Sequence, residues 1–535
     1  MPWLEWLDRK QGVSKVGQAP YRLLEPVHKL DHGESDSPNM LIEGDNLDAL
    51  KALLPYYAGQ VKSIYIDPPF NTGAAFDNYD DNIEHSIWLS LMYQRLDLLH
   101  QLLKDDGSIF IHLDDNQIDY CRVISDEIFG RNNFIGRITV DVRSPSAFST
   151  VNPGVFKASE YILWFAKNKK YFEENSLRIP RQVDYAYNLW LTNPDAPYSE
   201  WKFIPVMEAY AAVPRGTRVQ HPKAILAKFD RFILDNAARV CRYASISDTG
   251  AGEAIVELKR QSVASTRKIF RLQRGGRLDD VYVSNGQQIL FYSKNVSVID
   301  GEPTATTMLT NIWSDIAWEG IAGEGGVKFK KGKKPEKLLR RCIELSSEPG
   351  DIVLDSFLGS GTTAAVAHKM QRQWIGIEMG AQAQTHCYPR LKAVVDGEQS
   401  GISERVGWKG GGGFRFYKLG PAVFDDNGQI REGIKFEWLA AHVWFAETGH
   451  ARSTKAKKSP FLGVNDGTGY YLLYNGILGD KRPDGGNVLT LKLLSELPEH
   501  DGRKVIYGEA TRLSSERLQS LGIVFKQTPY DIRAR

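Results

Sequence analysis

Short apolar runs alternate with longer amphipathic ones from Met40 onward, stop doing so near Lys170, and resume near Thr310. This interrupted rhythm is the strongest constraint on the fold. Val61–Ile66 is apolar over the length of a buried strand, while Asn46–Leu54 before it and Ile87–Leu103 after it have a helical period. Gly107 is expected to end the second of these helices, with Ser108–Leu113 as the next strand. Gln117–Phe129 reads as a helix stopped by Gly130, and Tyr161–Ala166 as a further buried strand. After the break come helix Lys334–Leu345, strand Ile352–Asp355, helix Thr362–Met370 and strand Trp374–Glu378. Strands and helices alternating at these lengths predict an α/β fold with a parallel, doubly wound sheet.

The interruption has a different character. His221–Tyr243 is helical in period, but its surroundings are rich in Pro, Gly and Arg. Lys202–Arg274 holds 14 Lys/Arg against six Asp/Glu, although the whole chain carries a formal charge of only +2. A surface for a polyanion must therefore come from local clustering. The 535 residues exceed one ordinary core, and 42% hydrophobic with 25% charged residues suits folded, soluble protein. No apolar run reaches bilayer length, and the first ten residues carry charges where a signal peptide needs an apolar stretch. Cys121, Cys241, Cys342 and Cys387 are scattered without a C-x-x-C pair, which predicts free thiols in a reducing compartment and no zinc knuckle. Together these features predict a cytoplasmic protein, with no metal centre.

Two motifs carry chemistry. The first is Asp67-Pro68-Pro69-Phe70-Asn71-Thr72-Gly73, directly after the Val61–Ile66 strand. Open α/β sheets place ligands at the carboxyl ends of their strands, where Asp67 falls. Two prolines stiffen the turn and remove backbone donors, so it presents acceptors. Asp67 and a proline carbonyl can each accept one N–H of a planar amine, which helps localise the nitrogen lone pair. Phe70 offers a flat face on which an extruded base can stack. No activated Ser, Cys or His is needed.

The second is Asp355-Ser356-Phe357-Leu358-Gly359-Ser360-Gly361-Thr362-Thr363, a strand end, a glycine turn and a helix start. Gly359 and Gly361 let the backbone approach a ligand closely. The turn lacks Gly-Lys-Ser/Thr and is not G-x-G-x-x-G, which argues against a nucleoside triphosphate or a dinucleotide. Glu378 ends the following strand and is placed to accept ribose hydroxyls. Asp355 can meet the ammonium of an amino-acid tail. A nucleoside joined to an amino acid describes S-adenosylmethionine.

With these residues in view, Asp67-Pro68-Pro69-Phe70 resembles the catalytic tetrapeptide of DNA amino-methyltransferases, with Phe70 where tyrosine is commoner. Phe357-Leu358-Gly359-Ser360-Gly361 resembles their cofactor loop. The catalytic motif precedes the cofactor motif, as in the permuted beta group, whose target-recognition region lies between the two. Lys334-Pro335-Glu336-Lys337-Leu338-Leu339 resembles the helix that closes over the methionine moiety, and Gly44-Asp45-Asn46 the segment contacting the cofactor's adenine. The Asn71-Thr72-Gly73 extension, Phe110–Asn116 and Gly407–Leu419 are similar to the modification (Mod) subunits of type III restriction-modification systems.

The resemblance implies a Rossmann-like methyltransferase sheet in two halves, 40–170 and 311–420, around a target-recognition insert, 171–310. An N-terminal arm, 1–39, and a small C-terminal α/β domain, 421–535, complete the expected chain. It further implies catalytic roles for Asp67, Pro68, Pro69 and Phe70. Cofactor contacts are expected from Asp45, Lys334, Asp355, Phe357, Gly359, Gly361, Thr362 and Glu378. Substrate contacts are expected from Asn71 and from the insert residues Arg215, Arg218, Arg239 and Arg242, which can read guanines or phosphates. The implied activity is methylation of adenine N6 in double-stranded DNA. Cytosine N4, RNA, and a DNA-specificity subunit with dispensable methylation stand as alternatives. Candidate partners are an ATP-dependent helicase–nuclease restriction subunit and a second copy of the chain. The basic run Lys328–Arg341 is expected to be a phosphate-contacting edge or a solvated helix face. His112 is expected to pack or to orient a loop.

Overall fold

The computed structural model describes residues 3–18, 20–70, 84–143, 155–213, 222–265, 268–275, 279–299, 301–329, 332–424, 430–528 and 532. The chain divides into two compact units, residues 1–175 with 310–535, and residues 176–309.

The first unit is built on an eleven-stranded sheet. Its main path uses β1 (Arg22–Pro26), β2 (Met40–Glu43), β3 (Val61–Ile66), β4 (Leu103–Leu113), β5 (Phe134–Asp141), β6 (Ser159–Ala166), β7 (Ile312–Trp313), β8 (Ile352–Asp355), β9 (Gln373–Glu378) and β10 (Gly413–Ala422). The spatial order is β1-β10-β2-β9-β8-β3-β4-β6-β5-β7, with His32–Gly33 pairing beside β10. The six strands from β10 to β4 run parallel, and helices such as Asn46–Tyr57, His85–Leu102 and Thr362–Lys369 connect or flank them. Ile64, Ile66, Ile109, Ile111, Leu354 and Ile377 are inaccessible in the middle of this sheet. Each such side chain contributes roughly 1.5–3 kcal/mol by leaving water.

The sheet is mixed rather than wholly parallel, because β6 pairs antiparallel with both β4 and β5. Gly107 does not end a helix. The helix stops at Leu102, and Gly107 lies within β4, where a Cβ would meet the carbonyl oxygens of Val61, Lys62 and Lys104 at 2.9 Å. The glycine lets β3 and β4 approach at an irregularity in their register. Within the segment read as an arm, Arg22–Pro26 is an edge strand, pairing antiparallel with β10.

Residues 421–535 add helix Phe436–Thr448 and a four-stranded sheet, and cluster with the first unit. The last three strands, Thr468–Leu472, Arg503–Gly508 and Ile523–Gln527, are parallel. Their core includes Leu439, Val443, Leu472 and Val505, joined by Tyr21 and Leu23.

The second unit holds a six-stranded and a three-stranded sheet. Its helix Pro222–Asp235 ends earlier than its period suggests, and Val240–Ser245 is a strand pairing with Leu189–Leu191 and Gln287–Phe291. Tertiary pairing overrides local propensity here: Val240 and Cys241 are fully buried within that sheet. Among the described residues no helix is long and apolar enough to cross a membrane.

Candidate active site

β3 and β8 are neighbours in parallel register, Val353 opposite Ser63 and Leu354 opposite Ile64. The sheet thereby brings Asp67 and Asp355, 288 positions apart in sequence, to one carboxyl edge. A cleft opens there, lined by Asp67, Pro68, Pro69 and Phe70 on one side and by Asp355, Phe357, Gly359, Ser360, Thr362 and Thr363 on the other. Tyr65, Phe329, Gly332, Lys334, Leu339 and Leu358 complete its wall.

The proline turn is held from beneath. The indole of Trp88, which is fully buried, donates to the Pro69 carbonyl at 2.8 Å. Asp67 faces Lys334, whose Nζ stands 3.2 Å from Oδ1. The same ammonium lies 3.1 Å from Glu160 Oε2, and the rings of Phe70 and Trp318 flank it at 4.7 and 5.6 Å. Behind Glu160, His112 Nε2 is 2.9 Å away, and His112 Nδ1 is 2.7 Å from the Tyr65 hydroxyl. Burial pushes the Asp67 carboxyl above the usual carboxylate range, against the pull of Lys334 and His112. Burial also opposes ionisation of Glu160, but Lys334 and His112 hold it well below that range. For Lys334 burial disfavours the charge, and Asp67 and Glu160 more than offset it, raising the ammonium's pKa.

The glycine loop is equally determined. Asp355 accepts from the Phe357 amide at 2.9 Å and from the Thr363 hydroxyl at 2.5 Å. Burial pushes its carboxyl up to about 7. Glu378 Oε2 accepts the Gly359 amide at 2.7 Å, so that oxygen shapes the loop. Gly361 has φ +82°, and a Cβ there would approach the Cys387 backbone to 3.3 Å. Arg390, completely buried, donates to Thr362 Oγ1 at 2.7 Å and to Glu336 Oε1 at 2.8 Å. Lys369 meets the other Glu336 oxygen at 2.8 Å. This ion network ties the loop to helix Glu336–Ser346.

Of the residues singled out from the sequence, Asp67, Pro68, Pro69, Phe70, Lys334, Asp355, Phe357, Gly359 and Thr362 line one cleft. Gly361 and Glu378 build its loop from behind. Asp45 caps helix Asn46–Tyr57, accepting from the Leu47 amide at 2.8 Å, and pairs with Arg95 at 3.3 Å. Asn71, Arg215 and Arg218 lie outside the described residues. Arg239 and Arg242 are half-buried in the second unit, their guanidinium groups 5.6 Å from the Trp190 ring and 5.0 Å from the Tyr187 ring.

Of the basic run Lys328–Arg341, Lys328 is exposed, and Lys330 and Lys331 lie outside the described residues. Lys333 donates to the carbonyls of Ala322, Glu324 and Val327, Lys334 enters the cleft, and Lys337 and Arg341 pair with Asp315. Burial of the Lys333 ammonium lowers its pKa to about 8, and Arg390 adds to the effect. Loop carbonyls and carboxylates draw Lys333, Lys334 and Arg341 inward. Sequence reading missed Glu160, Tyr65, Trp88, Glu336 and Arg390. For Glu160 there was one signal, an acid leading into the apolar run Tyr161–Ala166. Among the described residues no group of three or more His, Cys, Asp or Glu is placed to hold a metal ion.

The DNA methylase family matches residues 61–387, a span that contains both motifs and the second unit. The "Probable type III restriction-modification enzyme HindVI Mod subunit" of Haemophilus influenzae is 35% identical over 407 residues, covering 72% of this chain and 54% of that protein. The type III restriction-modification enzyme EcoPI Mod subunit of Escherichia phage P1 is 26% identical over 415 residues, covering 68% and 60% respectively. This chain thus spans little more than half the length of these relatives. Among solved structures, the cytosine-N4-specific PvuII DNA methyltransferase overlaps 70% of this chain and 94% of its own, at 15% identity and a TM-score of 0.32. The family match covers more than half of the residues, and the chain belongs to the DNA methylase family.

Proposed function

We propose that this chain transfers a methyl group from S-adenosylmethionine to adenine N6 in double-stranded DNA, as the modification subunit of a type III restriction-modification system. The observation that carries the reading is the convergence of Asp67 and Asp355 on one cleft from adjacent parallel strands. The relatives named as Mod subunits of type III restriction-modification enzymes support the system and a further subunit of such an enzyme as partner. A second copy of the chain is a further candidate partner.

The residues fit the cofactor. Asp355 is a buried carboxylate facing the cleft, with only neutral donors bonded to it, and suits the ammonium of a methionine tail. Gly359 and Ser360 offer backbone where a nucleoside must approach closely. When bound, S-adenosylmethionine supplies an electrophilic methyl on a sulfonium. With the Pro69 carbonyl engaged by Trp88, Asp67 and the Pro68 carbonyl remain to accept the two N–H groups of the target amine. Phe70 provides the stacking face. Held this way, the amine would present its lone pair to the methyl that S-adenosylmethionine would supply, and Asp67 would take the N–H proton released once the nitrogen is methylated. Rate comes from orientation and from exclusion of water, with no covalent enzyme intermediate.

Single-molecule sequencing of DNA from cells expressing the wild-type chain or Asp67→Ala tests this directly. Methyladenine at one short motif, absent with the variant, is the expected result. Methylcytosine would move the target to cytosine N4. Modification that survives in Asp67→Ala would refute the assigned chemistry.

A further inference from the structure

The two motifs account for Asp67 and Asp355 but not for the buried groups behind Asp67. Tyr65 and His112 are inaccessible, and the Tyr65 hydroxyl needs an acceptor, which His112 Nδ1 provides at 2.7 Å. This pattern assigns the imidazole proton to Nε2, which faces Glu160 Oε2 at 2.9 Å. Two carboxylates, Asp67 and Glu160, share the single ammonium of Lys334 at 3.2 and 3.1 Å, so these three side chains carry one negative charge when both acids are ionised. A lone Lys334 would suffice to pair Asp67. Burying a second carboxylate costs desolvation that an isolated pair would avoid, so stability alone gives Glu160 no purpose.

Resting on the methyl-transfer reading above, we propose that Glu160 is a positioning residue: by sharing Lys334 with Asp67, it keeps one unit of negative charge in the cleft for the cation that passes from sulfur to the target nitrogen. A fixed charge aimed at a charge that moves during reaction needs no reorganisation at that moment. With Glu160 neutralised, Lys334 serves Asp67 alone. Its ammonium then cancels the Asp67 charge and competes with the amine N–H for the same oxygen. The groups that face Asp67 are Lys334 from the segment before helix Glu336–Ser346, Glu160 from β6, His112 from β4, Tyr65 from β3 and Asp355 from β8. Of these, Glu160 and Lys334 act on Asp67 with opposite sign, the first raising its pKa and the second lowering it.

The test uses the full chain and two nucleoside probes in a calorimeter. Sinefungin carries an amine, cationic near neutral pH, in place of the transferable methyl, and S-adenosylhomocysteine is neutral there. The wild type is expected to prefer sinefungin, and Glu160→Gln to lose roughly tenfold of that preference while its affinity for S-adenosylhomocysteine holds within about twofold. Glu160→Asp, which restores the charge, is expected to restore the preference. In single-turnover methylation the acid limb of the pH profile is expected to move down in Glu160→Gln and up in Lys334→Met, opposite shifts that a merely structural role would not produce. An unchanged preference in Glu160→Gln, or limbs that move together, would overturn the proposal. A wild-type chain that binds neither probe would instead overturn the methyl-transfer reading on which it rests.

Discussion

Burial pushes the Asp355 carboxyl up to about 7, opposed by the Thr363 hydroxyl and the Phe357 amide and reinforced by nearby Asp67. A ligand ammonium paired with Asp355 needs the ionised carboxylate, so affinity must follow the ionised fraction. With a midpoint near 7, that fraction rises from about 0.03 at pH 5.5 to about 0.5 at pH 7, roughly a fifteenfold change or about 1.6 kcal/mol. S-adenosylmethionine measured by titration calorimetry should therefore bind roughly fifteenfold more tightly at pH 7 than at pH 5.5. Asp355→Asn should bind weakly at both, with the slope gone. Stability of the protein alone carries the opposite trend. The folded state holds this proton more tightly than the unfolded chain, whose value is near 3.8. The contribution is thus full below that value and is lost as pH rises through about 7. Without ligand, the wild type should lose more Tm than Asp355→Asn between pH 5.5 and 7. A wild-type affinity that ignores pH over this range, or an equal slope in Asp355→Asn, would refute the assignment of Asp355 to a cation.

Trp88→Phe keeps the apolar bulk but removes the donor to the Pro69 carbonyl. It should cost about 1 kcal/mol in urea unfolding and slow single-turnover methylation while leaving cofactor affinity intact. Glu336→Gln strips the shared carboxylate from Lys369 and Arg390, all three inaccessible to solvent. The loss should be on the order of 3–5 kcal/mol, read as a lower urea midpoint.

Much of the cleft was legible in the sequence because its parts are local. A six-residue apolar strand followed by Asp-Pro-Pro-Phe specifies where a carboxylate and an aromatic face will sit, since prolines restrict the turn within a few residues. The glycine loop was legible for the same reason, and φ +82° at Gly361 is a backbone demand that its own residue type answers. Asp45 carries a use that its motif does not name: its carboxylate caps a helix, as the sequence around Asn46 permits.

The sequence by itself therefore determined the α/β class, the two motifs and the break between them, because hydrophobic period and turn chemistry act over ten residues or fewer. Only the tertiary structure decided the pairing. β3 and β8 meet although most of the chain separates them, and Lys334 finds Glu160 174 positions away. It also decided that Lys333, Lys334 and Arg341 would turn inward and that β6 would reverse direction. Charge compensation and strand order depend on which remote groups share a buried volume, and no local pattern encodes that choice.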